Sequence, residues 1–423
     1  MTSTRPALVV AMHDGFYGYG TGAGLSNSAF LRVLGELLNP SVRLTVLPVR
    51  LVPDSAEYDP AWHRETLALI ETVNGSVIAL DNGTAGQTRF GSLENFRRAS
   101  DRAAVEISNV LSRAAAPALA VAFDAPFFGT ALALSKRHTA RMVVVARATA
   151  ALHAGADLDR IEWERLSLLA TVRGGGRIAA TSRHMRQHLN DTYNIPQSAI
   201  VDLVDGLTPG EKCPSPAPDD TGLVTPAAGD QFMLSYGRAE PYKGFEDLIS
   251  ALRILRREGV KVPHLVLGAV TEGLASTPYQ RHLSDRITRE GLSVTLHTAF
   301  TPALRGLLAD PRLAAVIVPS RAEPFGRIPL EAYMAGASPV VATTAGGLAE
   351  IVSEGSTGYT AAPANPPALA GAISRALAAT PAQRRHLLAA GQAVTRARYD
   401  YRANVAAFLA DLAPWAVRDP QSA

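Results

Sequence analysis

Short apolar runs alternate with longer segments of helical periodicity along almost the whole chain. That rhythm predicts parallel β-sheets covered by helices on both faces, an α/β fold. In the first half, buried strands are expected at 7–12, 44–49, 77–80, 119–123, 142–146 and 177–180, with helices between them. The stretch 209–229 breaks the pattern: it is polar and carries Pro209, Pro214, Pro216, Pro218 and Pro226, which no helix tolerates. It reads as a linker between a first domain, 1–208, and a second, 230–397. Alternation restarts with strands expected at 232–236, 265–268, 293–297, 314–318 and 339–342, each followed by a helical pattern, which makes a second doubly wound domain. Beyond Pro366 the sequence is purely helical. The last segment, 398–423, holds a helix over 401–415 with apolar residues at helical spacing, expected to pack back across both domains.

Composition supports two domains. The chain has 423 residues and is 47% apolar, enough for two separate cores. A net charge of +3 with acids and arginines interleaved, as over 97–106, leaves no polybasic block, so neither nucleic acid nor a membrane surface is expected as a partner. Lysine occurs only at Lys136, Lys212, Lys243 and Lys261. The lone Cys213 excludes an internal disulfide framework and a cysteine-clustered zinc site, and fits a reducing cytoplasm. Polar residues 1–5 run directly into the strand 7–12, too short an apolar stretch for a signal peptide or a spanning helix. A soluble cytoplasmic protein is expected.

In open α/β sheets, ligands bind outside the carboxyl ends of strands, where helix N-termini expose their amides. Three loops answer that description. The first, His13 to Gly24, follows the first strand and carries Gly15, Gly18, Gly20, Gly22 and Gly24 ahead of a helix expected near Leu25. It lacks the spacing and the distal acid of a dinucleotide fingerprint. The second, 235–248, sets Arg238 and Lys243 across a turn containing Pro241, with a helix starting at or just after Gly244. Two cations at a helix start suit a diphosphate. In the third, 318–352, a strand ends at Pro319, Glu323 lies in the loop, the amides of 325–328 open a helix, and Glu331 falls on its first turns. Gly346 and Gly347 form a further tight loop. Carboxylates accept hydrogen bonds from sugar hydroxyls and free amides suit phosphate, so this segment offers both chemistries a nucleotide-sugar requires.

The segments GRAEPYKG, PSRAEPFGRIPLEAYMAGASPVV and AGGLAEIVSEGSTGY, in that order between 232 and 373, resemble the family 4 retaining glycosyltransferases of the GT-B fold. The resemblance implies two doubly wound Rossmann-like domains facing across a cleft, with the acceptor on the first and the nucleotide-sugar on the second. It implies that Arg238 and Lys243 hold the diphosphate, Glu323 contacts the donor sugar, and Glu331 binds ribose hydroxyls. It further implies that Phe325, Gly326, Arg327 and Ile328, with Gly346 and Gly347, line the sugar-phosphate pocket. The loop 20–24 is similar to the family's N-terminal loop, which assigns Gly22 and Gly24 to donor binding. Arg238, Lys243 and Glu323 are the expected catalytic residues, acting without a metal or other cofactor on a co-substrate expected to be a UDP-sugar ahead of GDP-, ADP- or TDP-sugars.

The first half departs from the family pattern. Where the family has a histidine after the 142–146 strand, this chain has Arg147, with His153 beyond it, and either could contact substrate. The family's Asn-Gly before the linker is Asp205-Gly206, and a glycine near the base pocket is replaced by Thr298. Acceptor candidates are His13, Asp14, Tyr17, Tyr19, Asp124, Arg147 and His153, suited to a small polar acceptor. Asp157-Leu158-Asp159 has the letters of a metal-binding Asp-x-Asp but precedes a helix, where acids are favoured for another reason. A sugar phosphorylase or nucleotide-sugar epimerase on the same architecture, and a non-catalytic nucleotide-sugar-binding protein, are the alternatives.

Overall fold

The computed structural model describes residues 5–18, 21–88, 92–153, 155–208, 211, 230–271, 275–337 and 339–418. Tyr19, Gly20, Cys213 and, apart from Glu211, the 209–229 segment lie outside them. The chain divides into two compact units, one of residues 1–208 with 401–423, the other of 209–400.

The first unit contains β1 (Ala7–Met12), β2 (Arg43–Pro48), β3 (Ser76–Val77), β4 (Ala118–Phe123), β5 (Met142–Ala146), β6 (Arg177–Ala180) and β7 (Ile200–Asp202). They form one sheet in the order β3-β2-β1-β4-β5-β6-β7. Every pairing is parallel, with Ala7 opposite both Arg43 and Ala118. β1 and β4 are buried at every position, as strands covered on both faces must be. Alternate residues serve opposite faces. Ala7, Val9 and Ala11 join a core with Phe96, Ala103 and Ile107 of the helix Leu93–Arg113. Leu8, Val10 and Met12 join another with Phe30 and Leu34 of the helix Gly22–Leu37.

Sequence and structure differ at the margins. The third strand is shorter than 77–80, although Ile78 and Leu80 still donate to the carbonyls of Val46 and Pro48. β7 has no counterpart among the expected strands: three residues at a sheet edge carry too little apolar pattern to stand out. The helix Gly22–Leu37 starts ahead of Leu25, because the Thr21 hydroxyl caps it by accepting from Gly24 N at 3.0 Å. Asp157 likewise caps the helix Leu158–Arg173, accepting from the Asp159 amide at 2.9 Å.

The terminal helix, Tyr401–Leu412, belongs to the first unit and ends short of 415. Its Tyr401, Val405, Phe408 and Leu409 complete the core beneath Leu8 and Val10. A buried charge cluster ties it to the sheet. The Arg147 guanidinium, after β5, donates to Asn27 Oδ1, to Asp124 Oδ2 at 3.2 Å and to Tyr401 OH at 3.4 Å. Its Nε lies 3.4 Å from Asp205, and it covers the Phe123 ring at 4.9 Å. Burial works against the charge on Arg147, but Asp124 and Asp205 outweigh it and keep the guanidinium protonated.

The second unit contains β8 (Phe232–Arg238), β9 (His264–Thr271), β10 (Val294–Ala299), β11 (Leu313–Val318), β12 (Val340–Thr343) and β13 (Tyr359–Ala361). They form a sheet in the order β10-β9-β8-β11-β12-β13, again parallel throughout. β13 is another three-residue edge strand that the apolar pattern does not announce. Met233, Leu265, Leu267 and Ile317 meet Leu248 and Leu252 of the helix Phe245–Arg257 and Leu369 and Ile373 of the helix Pro366–Ala378. Among the described residues no helix is long and apolar enough to cross a membrane.

Removing the charge from Arg147 strands two buried carboxylates. Arg147→Met is expected to destabilise the first unit by about 3–5 kcal/mol in urea unfolding. Arg402→Ala, which breaks an exposed pair with Glu36, is expected to cost under about 1 kcal/mol.

Candidate functional site

Both sheets reverse strand order beside their first strand, between β1 and β4 and between β8 and β11. The crevice outside the carboxyl ends at such a switch point is where open α/β sheets bind ligands. In the second unit the loops after β8 and β11 meet there.

After β8 a 3₁₀ turn, Pro241–Lys243, leads into Gly244 and then the helix Phe245–Arg257. Gly244 has φ +72°, and a Cβ built on it would lie 1.9 Å from the Pro319 carbonyl oxygen. Only glycine permits that approach of the two loops. The Arg321 amide then donates to the Tyr242 carbonyl at 2.7 Å, and the Arg321 guanidinium grips Asp247 with two bonds of 2.7 Å. Locked this way, the loops bring together residues far apart in sequence. Lys243 Nζ donates to Glu323 Oε2 at 2.6 Å, and Ser320 Oγ donates to the same oxygen at 3.1 Å. Both side chains of the ion pair are largely buried, 15% and 13% exposed.

The loop after β12 closes in from the other side. Gly347 N donates to the Glu323 carbonyl at 2.8 Å, and a Cβ on Gly347 would lie 2.3 Å from the Phe325 carbonyl oxygen. Gly326, at φ +103°, caps the helix Arg327–Ala335. The helix therefore opens at Arg327, two residues after the start expected from sequence. Phe325 is buried with its ring against Tyr399, so it supports the turn, while Ile328 is half-buried. Arg238 is exposed, donates to the Tyr242 hydroxyl and lies over the Tyr242 ring at 5.8 Å.

Glu331 is 5% exposed and held from three sides. Tyr236 OH donates to Oε2 at 2.7 Å, Arg327 Nε to Oε1 at 2.8 Å, and Arg305 Nε to Oε2 at 3.3 Å. Arg305 and Arg327 also pair with Glu211. Burial pushes the Glu331 carboxyl up, but Arg305 and Arg327 overcome it and hold the group below the usual carboxylate range. The Arg327–Glu331 pair is legible as an i,i+4 spacing. Tyr236 and Arg305 are not, because only the fold brings them to the carboxylate.

The first unit gathers other candidates at its switch point. His13 Nε2 lies 3.4 Å from Asp14 Oδ2, which also accepts from Thr21 Oγ1 at 2.8 Å. Asn27 Nδ2 donates to the Asp14 carbonyl. Asp124, directly after β4, has φ +72° and ψ 174°, a conformation almost confined to glycine, and such strain gathers at functional sites. Arg147 is buried in the tie already described, and His153 closes the 3₁₀ turn Ala150–Leu152. Gly22 and Gly24 sit in the first turn of the helix Gly22–Leu37, with the Gly24 amide satisfied by Thr21. Tyr19 lies outside the described residues. Among those residues, no group of three or more His, Cys, Asp or Glu could hold a metal ion.

Residues 224–393 match the family Glycosyl transferases group 1. The match covers the loops after β8, β11 and β12 and the whole Lys243–Glu323 cluster. Among curated proteins, the chain is 30% identical over 214 residues to D-inositol 3-phosphate glycosyltransferase of Frankia alni, covering 49% of this chain and 51% of that protein. It is 34% identical over 171 residues to glycogen synthase of Mycobacterium tuberculosis, covering 40% and 39%. It is 26% identical over 208 residues to an uncharacterized glycosyltransferase of Methanocaldococcus jannaschii, covering 48% and 50%. The chain thus spans about half the length, or less, of these curated relatives. Among solved structures, sucrose-phosphate synthase from Thermosynechococcus elongatus is similar with a TM-score of 0.72 at 18% identity, covering 96% of this chain and 97% of that one. HepE of Anabaena, solved in complex with UDP-glucose, is similar with a TM-score of 0.67 at 18% identity, covering 96% and 99%. The fold is that of the GT-B glycosyltransferases, two parallel-sheet Rossmann-like domains.

Because Gly244 admits the Pro319 carbonyl, Gly244→Ala is expected to part the two loops. A loss of roughly 2–3 kcal/mol in unfolding free energy is expected, from backbone strain and the clash together. Hydrogen exchange at 241–248 and 319–323 should quicken with it.

Proposed function

We propose that the chain is a retaining glycosyltransferase moving a hexose-type sugar from a nucleotide diphosphate donor to a hydroxyl of a small polar acceptor. One observation carries the reading: the interlocked loops after β8 and β11 seat Lys243 against Glu323 at the switch point of the second sheet. A cation for phosphate and a carboxylate for sugar hydroxyls there match the two halves of a nucleotide-sugar. UDP-sugars are the first donors to try, since the similarly folded HepE was solved with UDP-glucose.

Charge accumulates on the leaving diphosphate as the anomeric bond stretches. In this reading Arg238, Lys243 and the amides at the start of the helix Arg327–Ala335 stabilise it without a metal. On donor binding, Lys243 exchanges its bond to Glu323 for one to phosphate, which releases Glu323 to accept from the sugar hydroxyls. Gly326 and Gly347 let the loops after β11 and β12 close on one another beside the sugar-phosphate, with Gly346 next to them, and the ribose lies beside the Glu331 cluster. Retention follows from the resemblance of the 232–373 segment: the acceptor hydroxyl attacks the face that the diphosphate leaves, and a phosphate oxygen takes its proton. Acceptor recognition falls to the first unit, where His13, Asp14 and Asp124 gather and Arg147 holds Asp124 in place. The cytoplasm is the proposed compartment.

UDP release from UDP-glucose, into water or an added acceptor, tests the assignment. Lys243→Ala is expected to weaken donor binding roughly ten- to a hundredfold, the worth of a hydrogen bond to a charged group. Glu323→Ala is expected to lower the rate about a hundredfold while leaving UDP affinity within a few-fold. Unchanged donor affinity in the lysine variant, or normal turnover in the glutamate variant, contradicts the assignment.

A further inference from the structure

Acidic side chains collect at the carboxyl ends of the first sheet. Asp14 lies two residues beyond β1, Asp124 follows β4 directly, Arg147 follows β5 directly, and Asp205 lies three residues beyond β7. Asn27 links them: its Nδ2 donates to the Asp14 carbonyl at 3.1 Å, and its Oδ1 accepts from Arg147 Nη1, which also donates to Asp124 Oδ2 at 3.2 Å. Asp205 is turned towards the same guanidinium, with Oδ2 3.4 Å from Nε, an ion pair rather than a hydrogen bond. Its other oxygen, Oδ1, is buried with no hydrogen-bond partner among the described residues, and so is the hydroxyl of Thr181, directly after β6. The Asp205 amide donates to the Thr181 carbonyl at 3.0 Å, so the two orphaned groups belong to neighbouring residues.

The charges of the cluster do not balance. Arg147 faces two carboxylates, and Asp14, which accepts from the Thr21 hydroxyl and lies beside His13, adds a third. Each keeps an edge at the surface: side-chain exposure is 6% for Asp14, 9% for Asp124 and 8% for Asp205. We infer that the acceptor is a small polyol carrying an ammonium group, that this group docks on Asp124 and Asp205 beside Arg147, and that Asp205 selects it over a neutral or phosphorylated counterpart. This deepens the proposed function and rests on its placing of the acceptor at the first unit. A buried carboxylate short of a hydrogen bond is costly, and an ammonium supplies three donors together with the missing positive charge. A neutral hydroxyl would supply the bond without the charge. A phosphate would supply neither: the guanidinium is already shared among Asn27, Asp124, Tyr401 and Asp205, and the carboxylates would repel a further anion.

Two sets of probes test this by titration calorimetry on the full chain: glucosamine, glucose and glucose 6-phosphate, and scyllo-inosamine, scyllo-inositol and myo-inositol 1-phosphate. In at least one set the amine is expected to bind roughly tenfold or more tighter than the neutral compound, with the phosphate weakest. Asp205→Asn keeps the shape of the side chain and leaves Asp124 on Arg147, and it is expected to bring the amine within about threefold of the neutral compound. Asp124→Asn, which leaves Asp205 in place, is a second variant expected to reduce the preference, and thermal unfolding checks that both are folded. Equal binding of amine and neutral compound in both sets, tighter binding of a phosphate, or no binding of any probe would overturn the inference. So would a preference unmoved in both variants. UDP-glucose is titrated separately: if it binds while the amine preference is missing, only this inference falls, and if it does not bind, the donor assignment falls whatever the amines do.

Discussion

The Lys243–Glu323 ion pair depends on one close approach: the backbone of Gly244 against the Pro319 carbonyl, a fit that closes if a Cβ is added. Everything placed at the switch point of the second sheet follows from it. The loops after β8 and β11 interlock, Arg321 grips Asp247, and Gly347 seals the arrangement by donating to the Glu323 carbonyl. Two groups that would cost several kcal/mol to bury alone are buried as a pair. The pairing also stores the site in a neutral form. In the proposed reading, a polyanionic ligand takes Lys243 from Glu323 and so frees the carboxylate for hydroxyl groups, one contact serving both halves of a nucleotide-sugar.

The loops after β8 and β11 were legible in sequence because their features are local. Pro319 ends a strand, Gly326 caps a helix, and Arg238 and Lys243 flank one turn, so order along the chain nearly equals order in space. Tyr236, Arg305 and Glu211 were not legible. They reach Glu331 from β8, from a short helix, Ala303–Gly306, and from the stretch ahead of the second sheet, and no spacing rule connects such positions. The same limit applied to strands. Runs such as those of β1 and β11 declare themselves by continuous burial, whereas β7 and β13 are three-residue edges with too little pattern to be seen.

In the first unit, the sequence singled out Asp124 and Arg147 without dividing structural from ligand-facing parts between them. Arg147 could have faced a ligand or the core, and a charge gives no periodic sign of which. Its burial is explained by what surrounds it: two carboxylates, an amide oxygen, a phenol from the terminal helix and the face of Phe123. That burial is offset by hydrogen bonds to Asn27, Asp124 and Tyr401 and by the charge of Asp205, and it ties Tyr401 and the helix it begins to the first sheet. Asp124, whose backbone is strained at φ +72°, pairs with Arg147 in the same cluster.

Hydrogen–deuterium exchange of the full chain with and without UDP-glucose tests the donor assignment most directly. Donor binding at the second unit's switch point should slow exchange at 242–246, 326–330 and 347–349, with far smaller changes at 7–12 and 118–123 in the first sheet. Equal or greater protection confined to the first unit, or none in the three loops at a saturating concentration of donor, would contradict it.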